Sequence, residues 1–176
     1  MMPPCSNPYS LAGGACFALA GAACDLRRRR IPNYLTGAAF LAALAVNGLF
    51  GGPRALLDSL AAGLLAGALF AVMFFMGGMG GGDVKLMAAI AAFAGLGRLA
   101  EVLLYTTLAG GVLALGVAFY RRAIGSTMRR MFAWAMPGRL NASLEGNVAA
   151  QPLYVPYGVA IAAGALLTFY RGVVAS

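Results

Sequence analysis

Five uncharged stretches, residues 1–24, 31–53, 59–82, 102–120 and 146–170, make up most of the chain. Each approaches or exceeds the roughly 20 residues that carry a helix across a bilayer core. The charge gathers in the short segments between them, and only 10% of the 176 residues are charged. A soluble domain uses about 25%. In hydrocarbon a chain must satisfy its own backbone, so these runs predict an all-α polytopic membrane protein. Met1 to Cys24 carries no charge and so lacks the basic start of a cleavable signal. The first span therefore reads as permanent. Cys5, Cys16 and Cys24 show no paired spacing and there is no His, so they read as small apolar fillers and no metal site is expected.

Basic residues orient the spans. The first, about 10–24, ends in Asp-Leu-Arg-Arg-Arg-Arg-Ile-Pro-Asn, and the block Arg27 to Arg30 belongs on the cytoplasmic side with anionic lipid. Pro32 suits the first turn of the second span, about 34–50. Gly51-Gly52-Pro53 is an outer turn, and the third span, about 56–76, carries Gly63 and Gly67 at the spacing that lets a neighbouring helix approach. The fourth segment, 83–99, would be about 25 Å long at 1.5 Å per residue, so it is either a short crossing or a re-entrant hairpin. A crossing puts ten basic residues on the cytoplasmic side against three outside, whereas a hairpin gives seven against six. The positive-inside rule favours the crossing. With spans at 102–120 and 155–170 this makes about six transmembrane helices in a single domain, both termini on the non-cytoplasmic side. Between the last two, residues 121–151 form a cytoplasmic loop whose basic and aromatic residues suit the headgroup region.

This topology brings two acids to one depth. Asp25 closes the first span and Asp83 opens the fourth, while Asp58 and Glu101 fall at the outer edge and Glu145 in the polar loop. Two adjacent carboxyls in a poorly solvated place cannot both stay ionised, which leaves one base and one acid. Such a pair can activate water against an amide. Five of the six residues from Gly77 to Gly82 are Gly, removing side chains where a peptide would approach Asp83 and permitting unusual backbone. Lys85 has two readings: it keeps the Asp83 carboxylate charged, or it reaches up to the headgroups.

Gly80-Gly81-Gly82-Asp83 followed by Val84-Lys85-Leu86 resembles the GxGD motif of the type IV prepilin peptidases. The segment from Asp25 to Asn33 is similar to their first aspartate motif. The closing Val155-Pro156-Tyr157-Gly158 run looks like the last span of the small members associated with tight-adherence (Flp) pili. The resemblance implies a bacterial inner-membrane aspartic endopeptidase that removes the basic leader of prepilins at the cytoplasmic face. It implies Asp25 and Asp83 as the catalytic pair. Beside them Gly80, Gly82 and Lys85 are expected to support the site, and Pro32, Asn33, Pro156, Tyr157 and Gly158 are candidates for shaping the cleft, although a helix start is the commoner meaning of Pro-Tyr-Gly. Larger relatives also N-methylate the product, using S-adenosylmethionine and a cytoplasmic domain with paired cysteines. Lacking both that domain and the cysteines, this chain is expected to cleave without methylation and to need no cofactor. Its expected partners are prepilin and anionic membrane lipid, with self-association left open and no nucleic acid.

Without the resemblance, the same acids would also suit a small secondary transporter that uses them as proton or cation ligands. Against that stands their place near one face of the membrane. A non-catalytic scaffold would explain the Gly and Ala content by helix packing alone, but leaves both acids without a use. A basic leader is repelled by a basic face, so Arg27 to Arg30 are expected to hold lipid more than substrate. Replacing all four by Gln should therefore disturb topology before cleavage. A C-terminal alkaline phosphatase fusion, active only outside the cytoplasm, should lose activity in that variant.

Overall fold

The computed structural model describes residues 8–28, 30–76, 79–120 and 157–174, and every regular element among them is an α-helix. In order these are α1 (Pro8–Arg28), α2 (Asn33–Phe75), α3 (Gly81–Ala94), α4 (Leu96–Tyr120) and α5 (Tyr157–Val174). The expected loop 121–151, Gly77, Gly78 and Pro156 lie outside the described residues. The chain divides into two compact units, Met1–Gly110 with Pro156–Ser176, and Gly111–Val155. Of the second, the last turns of α4 are described, and all that follows concerns the first.

Among the described residues, Tyr9–Arg28, Asn33–Phe75 and Leu96–Val117 are long and apolar enough to cross a membrane. Leu41, Leu57, Leu64, Leu65 and Leu104 are more than half exposed, an outer surface suited to lipid and not to water. The chain is an α-helical membrane protein.

The 43 residues of α2 would make a rod of about 65 Å if straight. They do not, because Gly52 leaves helical geometry at φ 75° and ψ −170°, a left-handed φ that Gly adopts without a Cβ penalty. Pro53 then starts the second limb without needing an N–H. Phe40 meets Gly63 and Gly48 meets Leu56, so the limbs fold back on each other. The expected turn at Gly51-Gly52-Pro53 is there, and one residue, Gly52, leaves helical geometry.

Against this hairpin lies α3, whose residues Leu86, Met87 and Ala89 to Ala94 are all buried. A helix apolar on every side belongs at the centre. The Gly63 and Gly67 pair faces it: a Cβ at 63 would lie 3.0 Å from the Ala88 carbonyl oxygen and one at 67 would lie 3.3 Å from Ala88 Cβ. Along α1, Gly21 meets Leu86 while Gly13 and Gly14 meet Phe93. So α3 runs antiparallel to α1 and does not turn back on itself.

The far end of α3 is tied by side chains from three segments. Ser10 Oγ donates to the Phe93 carbonyl at 2.7 Å, and Asn47 Nδ2 and Ser59 Oγ both donate to the Ala92 carbonyl, at 3.0 and 2.6 Å. These satisfy acceptors that a helix end leaves open. Gly95 then ends α3 with φ 70°, and the Asp58 carboxylate accepts the Leu96 N–H at 3.1 Å as α4 begins. The expected boundary at 99 is thus corrected to 94. Charge placed it near Arg98, but the left-handed backbone of Gly95 breaks the helix first.

The last helix, α5, packs along α1 and the first half of α4. Gly172 lies against Leu11 and Arg98, Gly164 against Thr106, and Gly110 against Ala160.

Gly63→Ala should lower the stability of the detergent-solubilised protein by about 1–3 kcal/mol, the usual cost of overpacking. Gly67→Ala, which has more room, should cost less. Thermal unfolding of both variants against the parent checks the order.

Candidate active site

Asp25 continues the buried stripe of α1. Leu11, Ala15, Ala18 and Ala22 recur at helical spacing, and Asp25 falls one turn further on the same face, only 4% exposed. A carboxylate in such a place requires a donor. The Gly158 N–H at the start of α5 supplies one, to Asp25 Oδ2 at 3.0 Å. The first N–H groups of a helix have no partner within it, so α5 loses nothing from its own ladder. Only Gly fits: a Cβ at 158 would stand 2.9 Å from Asp25 Cβ and 3.0 Å from Oδ2.

Asp83 stands in the first turn of α3. Its carboxylate accepts the Gly80 N–H, and its own N–H donates to the Gly80 carbonyl at 3.1 Å. That is the carboxylate half of a capping box, which closes the helix start. A Cβ on Gly80 would come within 3.0 Å of Asp83 Oδ2. The other oxygen, Oδ1, is buried without a hydrogen-bond partner. Asp25 lies within electrostatic reach of this carboxylate, and so does the half-buried Tyr157 hydroxyl.

The two aspartate segments are docked on each other. Ile31 is buried, and a side chain on Gly82 would meet its Cβ at 3.1 Å and its carbonyl oxygen at 3.4 Å. Two residues on, Lys85 Nζ donates to Asn33 Oδ1 at 2.9 Å. Lys85 makes no ion pair with Asp83; its bond joins the start of α2 to α3. Pro32 sits just before α2, at φ −66° and ψ 138°, and its carbonyl accepts the N–H groups of Leu35 and Thr36 at 3.1 and 3.4 Å.

One end of the bundle therefore holds Asp25, Pro32, Asn33, Gly80, Gly82, Asp83, Lys85, Tyr157 and Gly158. Sequence reasoning gave Gly158 no closer task than shaping a cleft, and it missed Ile31. The usable signal was that a helix beginning at 157 exposes bare N–H groups, for which a buried acid is the natural acceptor. For Ile31 no signal existed, since its contact depends on how two distant turns meet.

A carboxyl pair at one end of a helical membrane bundle can polarise water and protonate a leaving group. Comparison with known proteins gives one family match: a model described as the type IV leader peptidase family covers residues 12–115, more than half of the chain. The match takes in both aspartates and stops short of α5. No curated protein and no solved structure gives a significant match.

Gly158→Ala should lower stability by about 1–3 kcal/mol by driving a methyl into the Asp25 carboxylate. Gly37→Ala, where a Cβ meets nothing within 4 Å, should leave it unchanged or raise it slightly. Melting curves in detergent check both.

Proposed function

The chain belongs to the type IV leader peptidase family, and from that premise we propose that it is an aspartic endopeptidase that removes the basic leader of Flp-type prepilins at the cytoplasmic face of the inner membrane. The observation that carries this reading is the common site of Asp25 and Asp83, each fixed by a backbone N–H from the start of a different helix. One carboxylate takes a proton from water as its oxygen attacks the scissile carbonyl carbon. The other carboxyl gives its proton to the carbonyl oxygen. Collapse of the tetrahedral species breaks the C–N bond, and the amine leaves with a proton returned from the pair.

Six crossings with both termini outside fit the alternating directions of α1, the two limbs of α2, α3, α4 and α5. The exposed Arg27, Arg28 and Arg30 lie at the aspartate end, which supports a cytoplasmic site by the positive-inside rule. Gly80 lets the Asp83 turn close on itself and Gly82 lets it close on Ile31, and Lys85 with Asn33 and Pro32 holds that turn against the end of α1. Tyr157 lies close enough to Asp83 to contact a bound peptide. The product is released without N-methylation, and no cofactor enters the reaction.

Coexpression with a Flp-type prepilin tests the reading. The wild type should shorten the prepilin, and Asp25→Ala and Asp83→Ala should each cut the rate about 10²–10⁴-fold while remaining in the membrane. Normal processing by either variant would overturn the pair. Mass spectrometry of the product should find its new N-terminus without an added methyl group.

A further inference from the structure

Next to the aspartates, but lined by neither, is a cavity of about 300 Å³ bounded by Asn33, Thr36, Gly37, Phe40, Lys85 and Ala88. That is the lower end of the range for ligand sites. It lies between the first limb of α2 and α3, and Asn33, Gly37 and Lys85 on its rim are exposed, so it opens sideways from the bundle.

Its two ends differ in chemistry. At one end stands the Lys85 ammonium, which carries three N–H donors and spends one on Asn33 Oδ1. Two remain for a ligand. Arg30 is exposed three residues before Asn33, with Arg27 and Arg28 exposed at the end of α1. Among the described residues the ion pair found is Arg98 with Glu101, so Lys85 is not held in one. At the other end the wall is Phe40, Ala88 and the bare backbone of Gly37. The cavity is therefore cationic at the membrane face and apolar toward the membrane interior, and no acid lines it.

We infer that this groove binds one anionic phospholipid from the leaflet on the aspartate side. Its phosphate sits at Lys85 and Asn33 within the field of the arginines, and an acyl chain runs along Gly37, Phe40 and Ala88. Charge-assisted bonds to phosphate are the strong kind, and basic residues at the cytoplasmic leaflet attract such lipids. The competing occupant is the substrate's own apolar segment. Charge decides against it, because the leader that precedes that segment is basic and would meet Lys85 and the arginines with like sign. Only this comparison rests on the peptidase reading.

The test uses the full-length protein purified in detergent, stripped of lipid, and supplied with phosphatidylglycerol or phosphatidylcholine while native mass spectrometry counts bound lipid. The wild type should retain one phosphatidylglycerol in preference to phosphatidylcholine. Lys85→Gln should weaken retention about tenfold, the scale of one charge-assisted hydrogen bond. Gly37→Leu keeps every charge and grows into the groove from a position whose Cβ would meet nothing within 4 Å, so it should do the same with an unchanged melting temperature. Arg54→Gln, at the other end of the bundle, should change nothing. Equal retention of the two lipids, or equal phosphatidylglycerol retention by wild type and Gly37→Leu, would overturn the site. So would a photo-crosslinker at position 37 that captures added prepilin in place of lipid. Retention is read without substrate, so lipid binding by a protein that leaves prepilin uncut counts against the peptidase reading alone, and cleavage without retention counts against the lipid site alone.

Discussion

A carboxylate inside an apolar bundle must find hydrogen-bond donors from protein, and the cheapest are the unpaired N–H groups at helix starts. Both aspartates use that source. Asp25, at the end of α1, reaches the start of α5 through Gly158, and Asp83 folds back on Gly80 at the start of α3. This requirement brings one helix end and two helix starts to a common depth. Glycine stands at both donor positions because the carboxylate leaves no room for a Cβ.

The rest of the fold holds that arrangement. Nearly every face of α3 is buried in Ala, Leu and Ile, which gives it no polar surface to fix its depth. Polar bonds at its two ends do so: Lys85 to Asn33 near the aspartates, and Ser10, Asn47 and Ser59 on the carbonyls of Ala92 and Phe93. A slip of one residue along the axis, about 1.5 Å, would cost all of them together. The Gly contacts with Leu86, Phe93 and Ala88 let α1 and α2 close on α3 tightly enough for those short side chains to reach.

Much of this was legible in the residues. Uncharged runs gave a helical membrane protein, Gly51-Gly52-Pro53 gave the hairpin in α2, and Gly63 with Gly67 gave a close helix contact that falls on α3. Asp25 and Asp83 were paired by depth alone. The rest shares a physical cause: charge is a poor ruler of where a helix ends or which side chain another meets. The position of Arg98 suggests a fourth segment reaching 99, yet Gly95 ends α3 because a left-handed φ stops a helix wherever the charges lie. The charge of Lys85 suggests Asp83 or the headgroups as its partner, yet its hydrogen bond goes to Asn33, 52 positions away in sequence. The Asp58 carboxylate caps α4 through the Leu96 N–H, a contact that its place in the sequence does not announce. Small polar side chains in apolar helices, Ser10, Asn47 and Ser59, were the overlooked signal, since none belongs in hydrocarbon without a partner.

The Asp25–Gly158 bond closes over 133 positions, far beyond the local contacts that join α2 to α3. Chains are made from the N-terminus, and their early segments associate before the late ones exist. Asp83 therefore has its helix-start donor as soon as α3 forms, while the Gly158 N–H reaches Asp25 only after α5 is made and docked. Until α5 docks, the site lacks one of its two helix-start donors, so assembly of the bundle itself separates the unfinished polypeptide from the finished one.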